Sequence, residues 1–515
     1  MIRSILVLGG GSAGLLAALT LKRKIPALEV EVVYSSRLGV IGVGEGTVPY
    51  VPAHLHGYLG LDEHEVFTAI QPVIKLGVRF AWGQRPWFDY TFSNQQHSSR
   101  RPDLPRNSGF YGFEDPAEMD LSSALMDHGK ALPRRNDGLP DLPRPGSNFA
   151  WHIENKLFVG WLEKACRREG VRFTDAELIA AESDGETLTS LRLSDGSERR
   201  ADFYVDSSGF ASELIGKAMG EPFEDFSSSL FCDRAVAGGW DRTDEPVLPY
   251  TLAETMPSGW CWRIDHPDRI HRGYVFSSQH ASDEEAIDVY RKAAPKAADP
   301  RIVRFRSGHF RRSWIGNVAG VGNAAGFVEP LEATALMVIC LQCRWITDGL
   351  IDSERRPNPS MRTLYNEMNG SIWRQIRDFL ALHYRFNDRL GTDFWRRCRA
   401  EIPLHDLEGL VDFYRENGPS AINAVRLPAG NPFGIEGYLA ILAGLKVPHE
   451  RLYRPSSGEL SRWKAHRERN RSIARQGMGM REVLTKLSHR EAWLRLRGQT
   501  GVNPGWRDPT GALTS

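Results

Sequence analysis

The chain opens on an apolar run, Ile5 to Leu8, that stops at a string of glycines. Such a run predicts a parallel-sheet strand covered on both faces. Ser12 to Lys24 follows, with Leu15, Leu16, Leu19 and Leu21 among its apolar positions, which is helical spacing. Val30 to Tyr34 reads as a second strand, so the chain begins with a βαβ unit. Helical spacing returns from Asn155 to Glu169. Leu188 to Val205 reads as a hairpin with Asp195-Gly196 as its tight turn. Residues 93–147 are rich in Pro, Arg, Ser, Asn and Gly and predict an irregular excursion. Gly322 to Leu341 predicts a small-residue loop entering a buried helix. Beyond about residue 345 strand signals fade, so a helical region is expected, with a loose tail over 496–515. No internal repeat of fixed period is found.

A chain of 515 residues is long enough for two or three structural units. Its 41% hydrophobic and 25% charged residues are ordinary for a soluble globular enzyme. Sixty-five basic residues against 64 acidic ones give no global field for nucleic acid or an anionic membrane. The first apolar run is too short for a signal peptide or a bilayer span. Six cysteines are sparse for this length, which points to reduced thiols and the cytoplasm. Cys340 and Cys343 form a lone C-x-x-C inside the predicted buried helix, where core packing is favoured over a redox pair. No metal site is expected.

Gly9-Gly10-Gly11-Ser12-Ala13-Gly14 fits G-x-G-x-x-G between a predicted strand and a predicted helix. Gly9 permits the tight turn, Gly11 lets the backbone approach a pyrophosphate, and Gly14 lets helix and strand pack closely. The helix start then offers N–H groups and a positive dipole end to phosphate. One position departs. The second strand should end in Asp or Glu for the ribose, and here it ends in Tyr34, Ser35 and Ser36. The departure weakens a loosely held NAD more than FAD.

Four further segments resemble the flavin-dependent halogenases of the tryptophan-halogenase type. Ile41-Gly-Val-Gly-Glu-Gly-Thr-Val-Pro49 is similar to the family's glycine-rich strap. Lys75-Leu-Gly-Val-Arg-Phe80 resembles the segment with its essential lysine. Trp260-Cys-Trp-Arg-Ile-Asp265 resembles W-x-W-x-I-P, with Asp265 in place of proline. Gly322-Asn-Ala-Ala-Gly-Phe-Val-Glu-Pro-Leu-Glu-Ala-Thr-Ala335 resembles the flavin-contacting loop and its P-L-E-[SA]-T segment. Asp206-Ser-Ser-Gly209 also looks like a flavoprotein strand end. Each has a plain alternative. Trp260 and Trp262 suit one face of any strand. Lys75 alone would be a solvated lysine, and Glu332 alone a carboxylate at a helix start. Their joint occurrence carries the resemblance.

The resemblance implies a mechanism. Reduced FAD and O₂ turn chloride or bromide into hypohalous acid, which then halogenates an electron-rich aromatic ring. Lys75 would guide the halogen, by a hydrogen bond or as a haloamine. Glu332 would take the ring proton. Thr334 and Ala335 would bind halide through backbone N–H groups. Gly9, Gly11, Ser12, Ala13, Gly14, Gly42, Val43, Gly44, Glu45, Gly322, Asn323 and Thr334 would contact the cofactor. Trp260 and Trp262 would block the space where a monooxygenase seats its substrate, and Ile264 belongs to the same signature.

Four departures accompany it. Asp265 alters the end of the signature, Ala333 removes a hydroxyl, and Asn323 replaces an Asp. Ala335 replaces a glycine, which bears on chloride against bromide. The family's tryptophan-specific members carry a tyrosine-rich lid. No Tyr-Tyr pair occurs here, so a simple indole or a phenol is favoured over free tryptophan.

The expected fold is α/β, a flavoprotein-monooxygenase-like FAD-binding module with a substrate sheet region and a C-terminal helical region. The module would use 1–80, 150–225 and 300–345. The substrate-side region would use 81–149 and 226–299, and the helical region 346–515. A separate flavin reductase is expected, because a second G-x-G-x-x-G is absent. A homodimer stays open. The alternatives are a flavin-dependent aromatic hydroxylase and a flavin-binding scaffold without turnover.

Overall fold

The computed structural model describes residues 1–39, 44–93, 118–451 and 454–498. They form two compact units, each discontinuous in sequence.

The first unit comprises Met1–Gly42, Glu154–Ser227 and Phe305–Arg377. Its centre is a six-stranded sheet in the order Trp314–Ile315, Val318–Gly320, Phe203–Asp206, Ser4–Leu8, Glu29–Tyr34, Arg172–Asp175. Five strands are parallel, and Trp314–Ile315 runs antiparallel to its neighbour. Ile5, Leu6, Val7 and Leu8 are all buried, as expected of a strand covered on both faces. Helix Ser12–Lys24 matches its expected bounds and buries Gly14 to Leu21 without a break. Helices Asn155–Arg168 and Ala335–Asp352 pack against it. The expected hairpin is correct only in part. Thr187–Leu193 and Glu198–Arg199 pair across the Asp195-Gly196 turn, with Gly196 at φ 81°. Phe203–Asp206 instead joins the parallel sheet beside Ser4–Leu8, because its continuous apolar run needs cover on two faces.

The second unit comprises Val43–Ile153, Ser228–Arg304 and Asp378–Ser515. Its seven-stranded sheet runs Ala298–Arg304, Arg234–Asp241, Arg269–Phe276, Gly259–Asp265, Thr251–Met256, Gly77–Ala81, Phe88–Thr91. Helix Asp283–Ala293 covers one end through Ala286 and Tyr290, which pack on Val236, Tyr274 and Phe276. A smaller sheet sets Ala150–Ile153 between Glu45–Gly46 and Val73–Lys75. Within the expected excursion, residues 94–117 lie outside the described residues. Leu121–Asp127 is a helix that the local composition hid, capped by Asp120. Of the expected tail, 499–515 lies outside the described residues. Beyond residue 345 every named element among the described residues is helical. Among the described residues no helix is long and apolar enough to cross a membrane. Cys340 and Cys343 are buried in helix Ala335–Asp352, and burial pushes both thiols up, which removes thiolate character.

Candidate active site

The glycine turn meets the demands of a dinucleotide cradle. Gly9 has φ 121°, and a Cβ there would lie 2.3 Å from the Ser207 carbonyl oxygen. A Cβ on Gly14 would lie 1.9 Å from the Gly9 carbonyl oxygen. At Gly11 the reverse holds, since a Cβ would meet nothing within 4 Å. Room therefore opens where a pyrophosphate would approach the helix start. Gly11 caps this helix with no side-chain hydrogen bond, and the Ser12 hydroxyl is turned to Asn155 Oδ1 at 2.9 Å. The first N–H groups thus face the open room, so the residues fit FAD.

Residues 322–335 are brought to the same helix. A Cβ on Gly322 would lie 2.8 Å from Ala13 Cβ. A chain of buried amides, not flagged by the sequence, fixes this loop. Gly322 N donates to Gln342 Oε1 at 2.7 Å, Gln342 Nε2 to Asn369 Oδ1 at 2.8 Å, and Asn369 Nδ2 to Ser313 Oγ at 2.8 Å. Asn323 is half-buried in the turn Gly322–Ala324. Glu332 and Thr334 are buried. Ala333 stands between them at φ 55°, a left-handed conformation that costs an alanine about 1 kcal/mol or more. Thr334 follows at φ −86° and ψ −11° and caps helix Ala335–Asp352. A left-handed residue before a right-handed one makes a concave nest of N–H groups, a form suited to a small anion. Strain held at such a place points to function.

Of the strap, Gly42 and Val43 lie outside the described residues. Gly44, at φ 77°, packs so tightly that a Cβ would lie 2.5 Å from His266 Nε2 and 2.9 Å from His271 Cδ2. Burial raises the Glu45 carboxyl to about 7. Thr47 is locked to Trp151, its hydroxyl donating to the carbonyl at 3.0 Å and accepting from the N–H at 2.8 Å. Lys75 has no exposed surface. Its Nζ donates to the Thr47 carbonyl at 2.9 Å and lies 5.3 Å from the centre of the Phe92 ring. Lys75 pairs with Ala150, and His152 lies two residues on, so both side chains share one face of the small sheet. Burial, the Lys75 charge and His266 push the His152 imidazole well below its ordinary range, against the pull of the Asp265 main chain. His152 Nε2 meets Thr251 Oγ1 at 2.9 Å. Nothing local in the sequence marks His152, since only pairing across the sheet sets it beside Lys75.

Trp260, Trp262 and Ile264 are all buried on strand Gly259–Asp265, with the two tryptophan rings 6.0 Å apart. Trp262 lies flat across Gly273, where a Cβ would come within 2.0 Å of its ring. Asp265, the departure from proline, is fully buried and pairs with Arg242 at 2.5 Å and Arg263 at 3.0 Å. It therefore anchors the turn by charge where proline would stiffen it. The first unit thus gathers the fingerprint with residues 322–335. The second gathers Gly44, Glu45, Thr47, Lys75 and the paired tryptophans.

A model of the tryptophan halogenase family matches residues 4–457. Tryptophan 7-halogenase KtzQ of Kutzneria sp. (strain 744) is 31% identical, over 84% of this chain and 85% of that protein. Tryptophan 7-halogenase RebH of Lentzea aerocolonigenes is 29% identical, over 86% and 89%. Among solved structures, MibH, a lathipeptide tryptophan 5-halogenase, superposes with a TM-score of 0.88 at 35% identity, covering 97% of this chain and 96% of its own. BrvH, a flavin-dependent halogenase from Brevundimonas sp. BAL3, gives 0.80 at 27%, covering 95% and 100%. Fold and matches together define an oxidoreductase of the flavin-dependent halogenase class, working with FADH₂, O₂ and halide. The chain belongs to the tryptophan halogenase family. The hydroxylase alternative has no better support.

Proposed function

We propose that this protein halogenates the indole of tryptophan, with Lys75 guiding the halogen and Glu332 accepting the displaced ring proton. One observation carries the reading: Lys75 has no exposed surface, yet its Nζ is tied to a main-chain carbonyl. Full burial of a lysine is rare without a task. Gly9, Gly11, Ser12, Ala13, Gly14, Gly322, Asn323 and Thr334 would hold FAD in the first unit, which acts as the cofactor module. With O₂ and halide, reduced FAD supplies hypohalous acid. The nest at Ala333 and Thr334 holds halide through the N–H groups of Thr334 and Ala335. The Lys75 ammonium donates a hydrogen bond to the oxygen of hypohalous acid, or its amine takes the halogen from the acid and releases water. Trp260 and Trp262 carry no titratable group and contribute bulk. A separate reductase supplies FADH₂, and the protein works in the cytoplasm.

The substrate is inferred to be tryptophan within a peptide rather than the free amino acid. The likeness to MibH supports this, as its name places its substrate in a peptide. So does Tyr438, which is 1% exposed, hydrogen-bonded to Asn431 and packed on Phe379, and so cannot serve as a lid. Free tryptophan, N-acetyltryptophan amide and a tryptophan-containing peptide would be offered in competition, with products read by mass spectrometry. Preference for the peptide or the capped amide supports the inference. Preference for free tryptophan overturns it.

A further inference from the structure

The end of strand Glu29–Tyr34 is where this fold presents an acid to the adenosine ribose. Here it reads Tyr34-Ser35-Ser36-Arg37. Tyr34 does not stand in for the acid. Its ring meets Phe173 edge-on, with centroids 6.1 Å apart, and a Cβ on Gly10 would lie 2.8 Å from Tyr34 Cβ. The side chain is packing beneath the fingerprint turn.

The neighbouring parallel strand, Arg172–Asp175, ends level with it. Tyr34 pairs with Asp175, and the Ala176 N–H donates to the Tyr34 carbonyl at 2.8 Å. Glu177 is the next residue. Its Oε1 accepts from Ser35 Oγ at 3.1 Å and pairs with Arg37 Nε at 3.0 Å. Asp175 Oδ1 accepts from the Ser36 N–H at 2.9 Å, which holds the loop against the second strand. A carboxylate thus stands at the C-terminal edge of the sheet against the end of strand Glu29–Tyr34, supplied from far along the chain.

We propose that Glu177 is the ribose acceptor of the FAD site, provided by the adjoining strand in place of the acid missing from the fingerprint strand. This rests on the reading of the first unit as the cofactor module. A carboxylate offers about four acceptor positions, so the two contacts on Oε1 leave room for the ribose hydroxyls. Arg37 is mostly exposed, so its pairing is a surface ion pair that a ligand hydroxyl can replace at small cost.

Binding of oxidised FAD tests this, read by flavin fluorescence on wild type, Glu177→Ala and Glu177→Gln. FMN, and FAD analogues lacking the adenosine 2′- or 3′-hydroxyl, serve as further probes. Glu177→Ala should weaken FAD roughly tenfold, the loss expected for a hydrogen bond to a charged group, and leave FMN unchanged. Wild type should prefer FAD to at least one deoxy analogue by a similar factor, and the variant should lose that preference. Wild-type indifference to both hydroxyls overturns the proposal and does not depend on the variants folding. So does equal loss of FAD and FMN. Stronger competition by 2′,5′-ADP than by ADP also overturns it and assigns Ser35, Ser36 and Arg37 to a phosphate. Absence of FAD binding by wild type would instead defeat the cofactor-module reading, and Glu177 with it.

Discussion

Lys75 Nζ lies 2.9 Å from the main-chain carbonyl of Thr47, with the whole lysine closed to solvent. The acceptor is main chain, so the contact survives any substitution at Thr47 that keeps the local main-chain path. Removing the amine removes the group that would present halogen to the ring. Lys75→Ala should therefore lower halogenated product by at least about 100-fold, within the range for losing a positioned proton-transfer group. FAD affinity should be unchanged. Product mass spectrometry beside flavin binding checks both.

Gly11 and Gly14 belong to one motif and should fail in different ways. A Cβ on Gly14 strikes the Gly9 carbonyl oxygen at 1.9 Å. Gly14→Ala should cost about 3 kcal/mol of folding stability, at the upper end for overpacking. Gly11→Ala meets nothing and should stay within about 1 kcal/mol of wild type, the usual change at a helix start. It should still lose FAD, because its methyl group fills the pyrophosphate approach. Thermal melts with and without FAD separate the two.

Ala333 holds a left-handed conformation at the start of the nest proposed for halide. Ala333→Gly should stabilise the protein by about 0.5–1 kcal/mol, relief of strain less the added freedom of the unfolded chain. The consequence is a looser nest, so the halide KM should rise severalfold while FAD affinity holds. Steady-state kinetics against bromide and chloride test it.

Glu45 titrates at about 7 because burial disfavours its charge. A carboxyl raised from 4.5 holds its proton in the folded state after the unfolded chain has lost it. Stability contributed by this group is therefore full below about pH 4.5 and falls as pH rises to about 7. Glu45→Gln should stabilise the protein by about 2 kcal/mol at about pH 8 and by nothing at about pH 4.5. The side chain keeps some contact with solvent, so the gain is less than the whole shift would give. Melts across that pH range would show whether the difference grows with pH.

Local pattern made the βαβ start and the buried C-x-x-C legible. Apolar runs such as Ile5 to Leu8, helical spacing and glycine turns act within a few residues of one another. Helix Ser12–Lys24 is a case in point. The hairpin is shorter than its pattern suggests, because a short apolar run does not tell whether its partner is the preceding strand or Ser4–Leu8. Helix Leu121–Asp127 was hidden by the turn-forming residues around it. At the candidate site, the resemblance of four segments to the halogenase family singled out Lys75, Glu332 and the paired tryptophans. It could not show His152 on the face of Lys75, nor Ser35 against Glu177, because these depend on pairing between distant strands. The strain at Ala333 is likewise a property of backbone angle, which an alanine in a sequence does not announce.

The most direct test of the account is a halogenation assay of wild type and Lys75→Ala with FAD, a flavin reductase, NADH and air. Bromide or chloride would be present or withheld, and the substrates would be tryptophan and a tryptophan-containing peptide. A product with a halogen isotope pattern, dependent on halide and lost in Lys75→Ala, is the expected result. Oxygenated product formed without halide, or halogenated product undiminished in Lys75→Ala, would contradict it.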